Sequence, residues 1–168
     1  MKRFSQISVM VVALAALSAC GGAKEEPAPA DTRSAAPAAT TSAPAAAAAP
    51  TADSTDTVDG TTLAAFTGDA AKGEKIFLQC KSCHALEAGK NGIGPSLAGI
   101  VGRAASTVEG YKYSDANMKS GITWSKEKLF QYLENPQRVV PGTKMAFAGL
   151  PQAQDRADVI AYLEANAK

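Results

Sequence analysis

The residues with most chemistry to offer stand together as Cys80-Lys81-Ser82-Cys83-His84. Two thiols three positions apart, with a histidine directly after the second, match the pattern for covalent c-type haem attachment. Each sulfur can add to one vinyl group of a porphyrin. The neighbouring imidazole then falls beneath the iron and supplies a first axial ligand. His84 is the only histidine of the 168 residues, so no other imidazole competes for that place. Two other chemistries use a Cys-x-x-Cys pair. A closed zinc site takes four ligands, usually with a second Cys/His cluster, and the sequence contains none. A redox dithiol of the thioredoxin kind stands in a strand–helix context, and no such α/β pattern is present.

With His84 on one side of the iron, the strongest donor left for the other side is a methionine sulfur. Past the N-terminal segment the candidates are Met118 and Met145. Met118 lies in the polar run Asn117-Met118-Lys119-Ser120. Met145 follows the turn Pro141-Gly142-Thr143-Lys144 and precedes Ala146-Phe147-Ala148, a loop able to reach over an apolar ring face. Met145 is the expected ligand. Methionine–histidine ligation raises the iron's potential and fills both axial positions, which suits outer-sphere electron transfer.

The elements that must carry these residues are helical. Asp69 is a good N-cap for a helix that begins at Ala70 and runs into the haem motif. Gly73 in its interior costs about 1 kcal/mol, which implies close approach of another element. Residues 155–167 form the natural partner, with Val159, Ile160, Tyr162 and Leu163 at helical spacing. Ser125 caps a further helix through Leu129, Phe130, Tyr132 and Leu133, which should stop at Asn135 because Pro136 follows. Residues 91–99 and 141–145 are Gly/Pro-punctuated loops, residues 111–121 a loop or short helix, and no convincing strand alternation appears. The expected class is all-α, with helices and long loops wrapped around one cofactor.

The N-terminal part has another character. Lys2 and Arg3 precede the apolar run from Ile7 to Leu17, and Leu17-Ser18-Ala19-Cys20 follows. This resembles a bacterial lipobox, in which the cysteine becomes the lipid-modified N-terminus after cleavage. Residues 1–19 are thus expected to be a lipoprotein signal peptide and Cys20 the acylated residue. The apolar run is short for a spanning helix. Residues 20–66, rich in Ala, Pro, Thr and Ser, are read as a disordered tether, because few large apolar side chains are available to bury. From Cys20 to Thr67 such a chain spans roughly 40 Å when flexible and about 155 Å when extended. Residues 67–168 are left as the haem domain. Export places that domain on the periplasmic side of a bacterial membrane. Gly21 after Cys20 lacks the Asp that retains some lipoproteins at the inner membrane, but that rule varies between bacteria, and the inner membrane is the expected one.

From Gly68 onward the sequence resembles class I cytochrome c of the mitochondrial type. The stretches that carry the resemblance are Gly-Asp-x-x-Lys-Gly-x-Lys-Ile-Phe (68–77), Cys-Lys-Ser-Cys-His (80–84), Gly-Pro-Ser-Leu (94–97), Tyr-Ser-Asp-Ala-Asn (113–117), Gly-Ile-Thr-Trp (121–124), Tyr-Leu-Glu-Asn-Pro (132–136) and Pro-Gly-Thr-Lys-Met-x-Phe-Ala-Gly (141–149). The resemblance implies the class I cytochrome c fold with one covalently bound haem c. It also implies that the Pro95 carbonyl accepts a hydrogen bond from His84, and that Arg103, Tyr113 and Trp124 hold the propionates. Asn117, Tyr132 and Thr143 would frame the Met145 side of the iron.

The function implied is that of an electron carrier rather than an enzyme. Single electrons would pass from a quinol–cytochrome c reductase to a terminal haem-copper oxidase. A monomer is expected, with redox proteins and a membrane as partners and no nucleic acid. The alternative is a haem sensor or peroxidase-like module in which the methionine bond opens. The chain departs from its relatives at Gln79, Gly92, Gln137 and Pro151, where they often carry lysine. From Gly68 onward, 13 basic residues stand against 10 acidic ones, a formal +3 before the haem. A tether that raises effective concentration would reduce the need for electrostatic steering.

Overall fold

Asp69 starts the first helix as its sequence demands. In the computed structural model, which describes residues 48–168, its carboxylate accepts from the Ala71 and Lys72 amides at 2.9 and 3.2 Å and opens α1, Ala70–Lys81. Ser114 caps the single turn α2, Asp115–Met118, and Ser125 caps α3, Lys126–Glu134. α3 stops before Pro136, as expected, but the chain does not stay extended. Asn135 accepts from the Arg138 amide and caps a further turn, α4, Pro136–Val139. The same proline that ends α3 serves as first residue of α4, where its missing N–H costs nothing. α5, Ala153–Asn166, closes the chain. Among the described residues the only extended pairing is one antiparallel bridge, Ala104 with Thr123. None of the described helices is long and apolar enough to cross a membrane.

The fold is organised by the crossing of α1 over α5. A Cβ at Gly73 would come within 2.0 Å of the Asp158 carbonyl oxygen, so only glycine lets the helices touch. One turn on, the Phe77 and Tyr162 rings pack at 5.2 Å between centroids. Asp158 also accepts from the Asp69 amide at 2.8 Å, which ties the start of α1 to the middle of α5. α3 packs against α5, and its Leu129, Phe130 and Leu133 join Val159, Ile160 and Leu163 in the core.

One expectation needs correction. The tether was expected to run to residue 66, yet residues 51–66 are part of the fold. They form an irregular strap along α3 with one 3-10 turn, Leu63–Ala65. Phe66 packs on Phe130 with centroids 5.9 Å apart. Lys128, 2% exposed, donates to the carbonyls of Thr51 and Ser54 at 3.1 and 2.7 Å, and Gln131, fully buried, donates to that of Asp56 at 2.8 Å. The strap has few large apolar residues, which is why composition reads it as unfolded. It is held instead by polar side chains that reach it from helices more than 70 residues away in sequence. The proposed signal peptide, Cys20 and residues 20–47 of the proposed tether lie outside the described residues.

Candidate haem site

A cavity of about 350 Å³ lies between α1, α3, α5 and the loops that join them, within the range of ligand-sized sites. Cys80, Cys83, His84 and Met145 all line it. α1 delivers Cys80 in its last turn, and the backbone then folds over so that the amides of Cys83 and His84 both donate to the Cys80 carbonyl at 3.0 Å. This tight turn brings both thiols and the imidazole to one wall. Burial, aided by the neighbouring Cys83, pushes the Cys80 thiol up to about 11, so it is held neutral.

The imidazole is fixed by its surroundings. Its Nδ1 lies 2.7 Å from the Pro95 carbonyl oxygen. A carbonyl can only accept, so Nδ1 carries the proton and Nε2 is left with its lone pair. Burial lowers the pKa of His84, the Pro95 bond partly opposes this, and the Arg103 charge lowers it further. A neutral ring with a free Nε2 is the form that binds metal.

The loop after the motif is built to hold this arrangement. A Cβ at Gly94 would fall 2.3 Å from the imidazole Cε1. Ser96, 1% exposed, donates its hydroxyl to the Glu87 carbonyl at 2.7 Å and its amide to Asn91 Oδ1 at 3.0 Å, which locks the peptide that presents Pro95. Nothing in the sequence marks Gly94, Ser96 or Asn91 for this role. The Gly-Pro punctuation marked a loop, but only the folded chain shows the ring lying against it.

On the methionine side, the Tyr132 hydroxyl donates to Met145 Sδ at 3.6 Å and lies 3.5 Å from Thr143 Oγ1. The Met145 amide in turn donates to Thr143 Oγ1 at 3.3 Å. The structure therefore gathers Tyr132, Thr143 and Met145 at one point. Asn117 also lines the cavity, but its Oδ1 accepts from Ser106, a residue held at φ +63°. Met118 is 56% exposed and is not part of the lining.

Arg103, Tyr113 and Trp124 line the cavity as well. Trp124 is buried against Tyr132 with ring centroids 4.7 Å apart. The Tyr113 hydroxyl accepts from the Val108 amide at 3.3 Å. Arg103 donates one guanidinium nitrogen to the Ala98 carbonyl and the other to that of Ser96 at 3.0 Å. Five guanidinium N–H groups are available, so donors remain for an acid group.

These features fit a haem. An imidazole with a free Nε2 and a thioether line the same apolar space, and two thiols stand at its edge. They do not fit a closed zinc site: among the described residues no three His, Cys, Asp or Glu side chains gather to hold a metal ion.

Comparison with known proteins agrees in extent and kind. The family model for cytochrome c matches residues 70–167. A cytochrome c2 iso-2 from Magnetospirillum fulvum is 57% identical over 88 residues, covering 52% of this chain and 92% of the relative. A cytochrome c from Arabidopsis thaliana is 52% identical over 103 residues, 60% of this chain and 92% of the relative. Among solved structures, cytochrome cH from Methylobacterium extorquens superposes with a TM-score of 0.56 at 49% identity, covering 58% of this chain and 99% of that one.

Proposed function

The chain belongs to the cytochrome c family, and on that premise we propose that it is a membrane-tethered carrier of single electrons with His84 and Met145 as axial ligands. Its fold is that of class I cytochrome c, its cofactor is haem c, and its relatives are electron carriers that act with redox partner proteins, not enzymes. The observation that carries the ligand assignment is the shared cavity: His84 with Nε2 free and Met145 with its sulfur hydrogen-bonded both line it.

When bound, haem supplies the ferrous–ferric couple. The chain does the rest. Cys80 and Cys83 would hold the group through their sulfurs, His84 and Met145 would offer its iron an imidazole nitrogen and a thioether sulfur, and Arg103, Tyr113 and Trp124 would meet its acid groups. The apolar lining excludes water, which limits the reorganisation that accompanies a change of charge.

The N-terminal sequence supports the tether. Residues 1–19 act as a lipoprotein signal, Cys20 carries the lipid, and a tether ending near residue 50 leads to a haem domain of residues 51–168. The monomer then works on the periplasmic side of the inner membrane, between a quinol–cytochrome c reductase and a haem-copper oxidase. The charge of the described chain supports capture by tethering. The strap adds Asp53, Asp56 and Asp59 and no cation, so residues 48–168 carry 13 acidic and 13 basic residues.

The test uses cells that make either the wild-type chain or one whose residues 1–20 are replaced by an ordinary cleavable export signal, because substituting Cys20 alone would also block signal removal. The wild type should sediment with the inner membrane and be oxidised and reduced by that membrane's respiratory complexes. The exchanged form should be released from the membrane with its haem spectrum intact and lose most of that turnover. Equal membrane retention and turnover in both would overturn the tethered-carrier reading.

A further inference from the structure

The Met145 loop leaves α3 and α4 and returns to α5, and the strap touches both of its stems. At the outgoing stem, Arg138 in α4 donates Nη2 to the Asp56 carbonyl at 2.7 Å and lies 3.6 Å from the Glu134 carboxylate. At the returning stem, Arg156 donates Nη1 to the Leu150 and Pro151 carbonyls at 3.0 and 3.3 Å. Its Nη2 meets the strap, at Asp59 Oδ2 (2.6 Å) and Thr61 Oγ1 (3.0 Å). Arg156 is wholly buried, so it has no water to fall back on.

Glu134 joins the two stems. Its carboxylate accepts from the strap amides of Val58 and Asp59 at 2.7 and 3.0 Å. Its own carbonyl lies so close to Gly149 that a Cβ there would come within 2.1 Å, and the adjacent Leu133 carbonyl accepts from the Leu150 amide at 2.7 Å.

We propose that residues 56–61 form a clasp across both stems of the Met145 loop, with Asp59, Thr61 and Glu134 as positioning residues for the methionine sulfur. This rests on the assignment of Met145 as an axial ligand. A buried guanidinium that loses its one carboxylate at hydrogen-bond distance, and keeps only Glu134 at 3.8 Å from Nη1, must shift to find other partners. Its bonds to Leu150 and Pro151 then loosen, and the loop spends more time open. A competing ligand reads that population directly, because its apparent affinity scales with the fraction of open molecules.

The experiment titrates imidazole into ferric, full-length holoprotein and follows loss of the weak sulfur-to-iron band. Four variants accompany the wild type: Asp59→Asn/Thr61→Val; residues 51–61 replaced by Gly/Ser of equal length; Asp53→Asn as a charge control; and Met145→Ala. The first two should bind imidazole about tenfold tighter, the size expected if one charge-assisted bond is passed on to the loop equilibrium. Amide exchange across residues 140–150 should quicken by a similar factor. Asp53→Asn should stay within about twofold of wild type on the same scale.

If the Gly/Ser strap leaves both readouts at wild-type values, the clasp is refuted. If only the point variant is silent, Asp59 and Thr61 have no positioning role. A sulfur band that persists in Met145→Ala would instead refute the ligand assignment, so the two failures are distinct.

Discussion

At the scale of single residues, the haem-side chemistry rests on hydrogen bonds that fix which atom is free. The Pro95 carbonyl accepts a hydrogen bond from the Nδ1–H of His84 and leaves Nε2 to the cavity. Tyr132 does the corresponding work for Met145, donating to Sδ at 3.6 Å. A donor on the sulfur withdraws electron density from it and disfavours the ferric state. Tyr132→Phe should therefore lower the midpoint potential by a few tens of millivolts, the equivalent of about one net hydrogen bond. Spectroelectrochemical titration of the two proteins checks this; an unchanged or raised potential would mean the hydroxyl does not act on the sulfur. The proposed ligands can be picked out in the sequence because their residue types are rare and their spacing is chemical: one histidine after a Cys-x-x-Cys, and a methionine in a Pro-Gly turn. The supporting residues were not. Gly94, Ser96 and Asn91 are ordinary loop residues until the chain folds and brings the imidazole against them.

At the scale of elements, α1, α3 and α5 could be read from Asp69, Ser125 and the apolar spacing of 159–163, because capping and periodicity are local. The tight crossing at Gly73 could also be inferred, from the cost of a glycine in a helix. Gly73→Ala should destabilise the fold by about 1–3 kcal/mol, as overpacking against fixed backbone does. A urea midpoint within error of wild type would show that the helices can part without cost. The strap could not be read, since its partners, Lys128, Gln131 and Arg156, lie far along the chain and its own residues have no period. The spacing of Asp53, Asp56 and Asp59 after the last proline of the run, Pro50, was the available signal.

The strap also carries a pH dependence. Burial works to raise the pKa of Asp59, but the hydrogen bonds from Thr61 and Arg156 outweigh it and hold the carboxyl well below the usual carboxylate range. A folded pKa below the unfolded value of 3.8 means that this contribution is complete above about pH 4 and is lost as the pH falls further. The Thr61 amide resonance, whose N–H donates to Asp59 Oδ1 at 2.9 Å, should keep its folded shift from pH 7 to about 4 and move only below that. Release between pH 5 and 7 would show that Asp59 is not the latch.

At the scale of the whole molecule, the strap alters both where the folded part begins and what charge it carries. A cut at Gly68 would remove the clasp as well as the tether, so a soluble form should begin at residue 51. With acidic and basic residues equal in number over residues 48–168, long-range steering should be weak. The bimolecular rate of this soluble form with an oxidase should change by less than about threefold between 10 and 200 mM salt. A tenfold fall would instead point to a strongly charged patch as the docking determinant.

The most direct test of the carrier function is the spectrum of the purified ferric holoprotein, followed through a redox titration beside Met145→Ala. Expected is a low-spin c-type spectrum with a weak sulfur-to-iron band near the red edge, absent from Met145→Ala, and a reversible one-electron transition. A high-spin ferrous wild type that binds carbon monoxide readily would contradict closure of both axial positions, and with it the assignment of this haem to electron transfer.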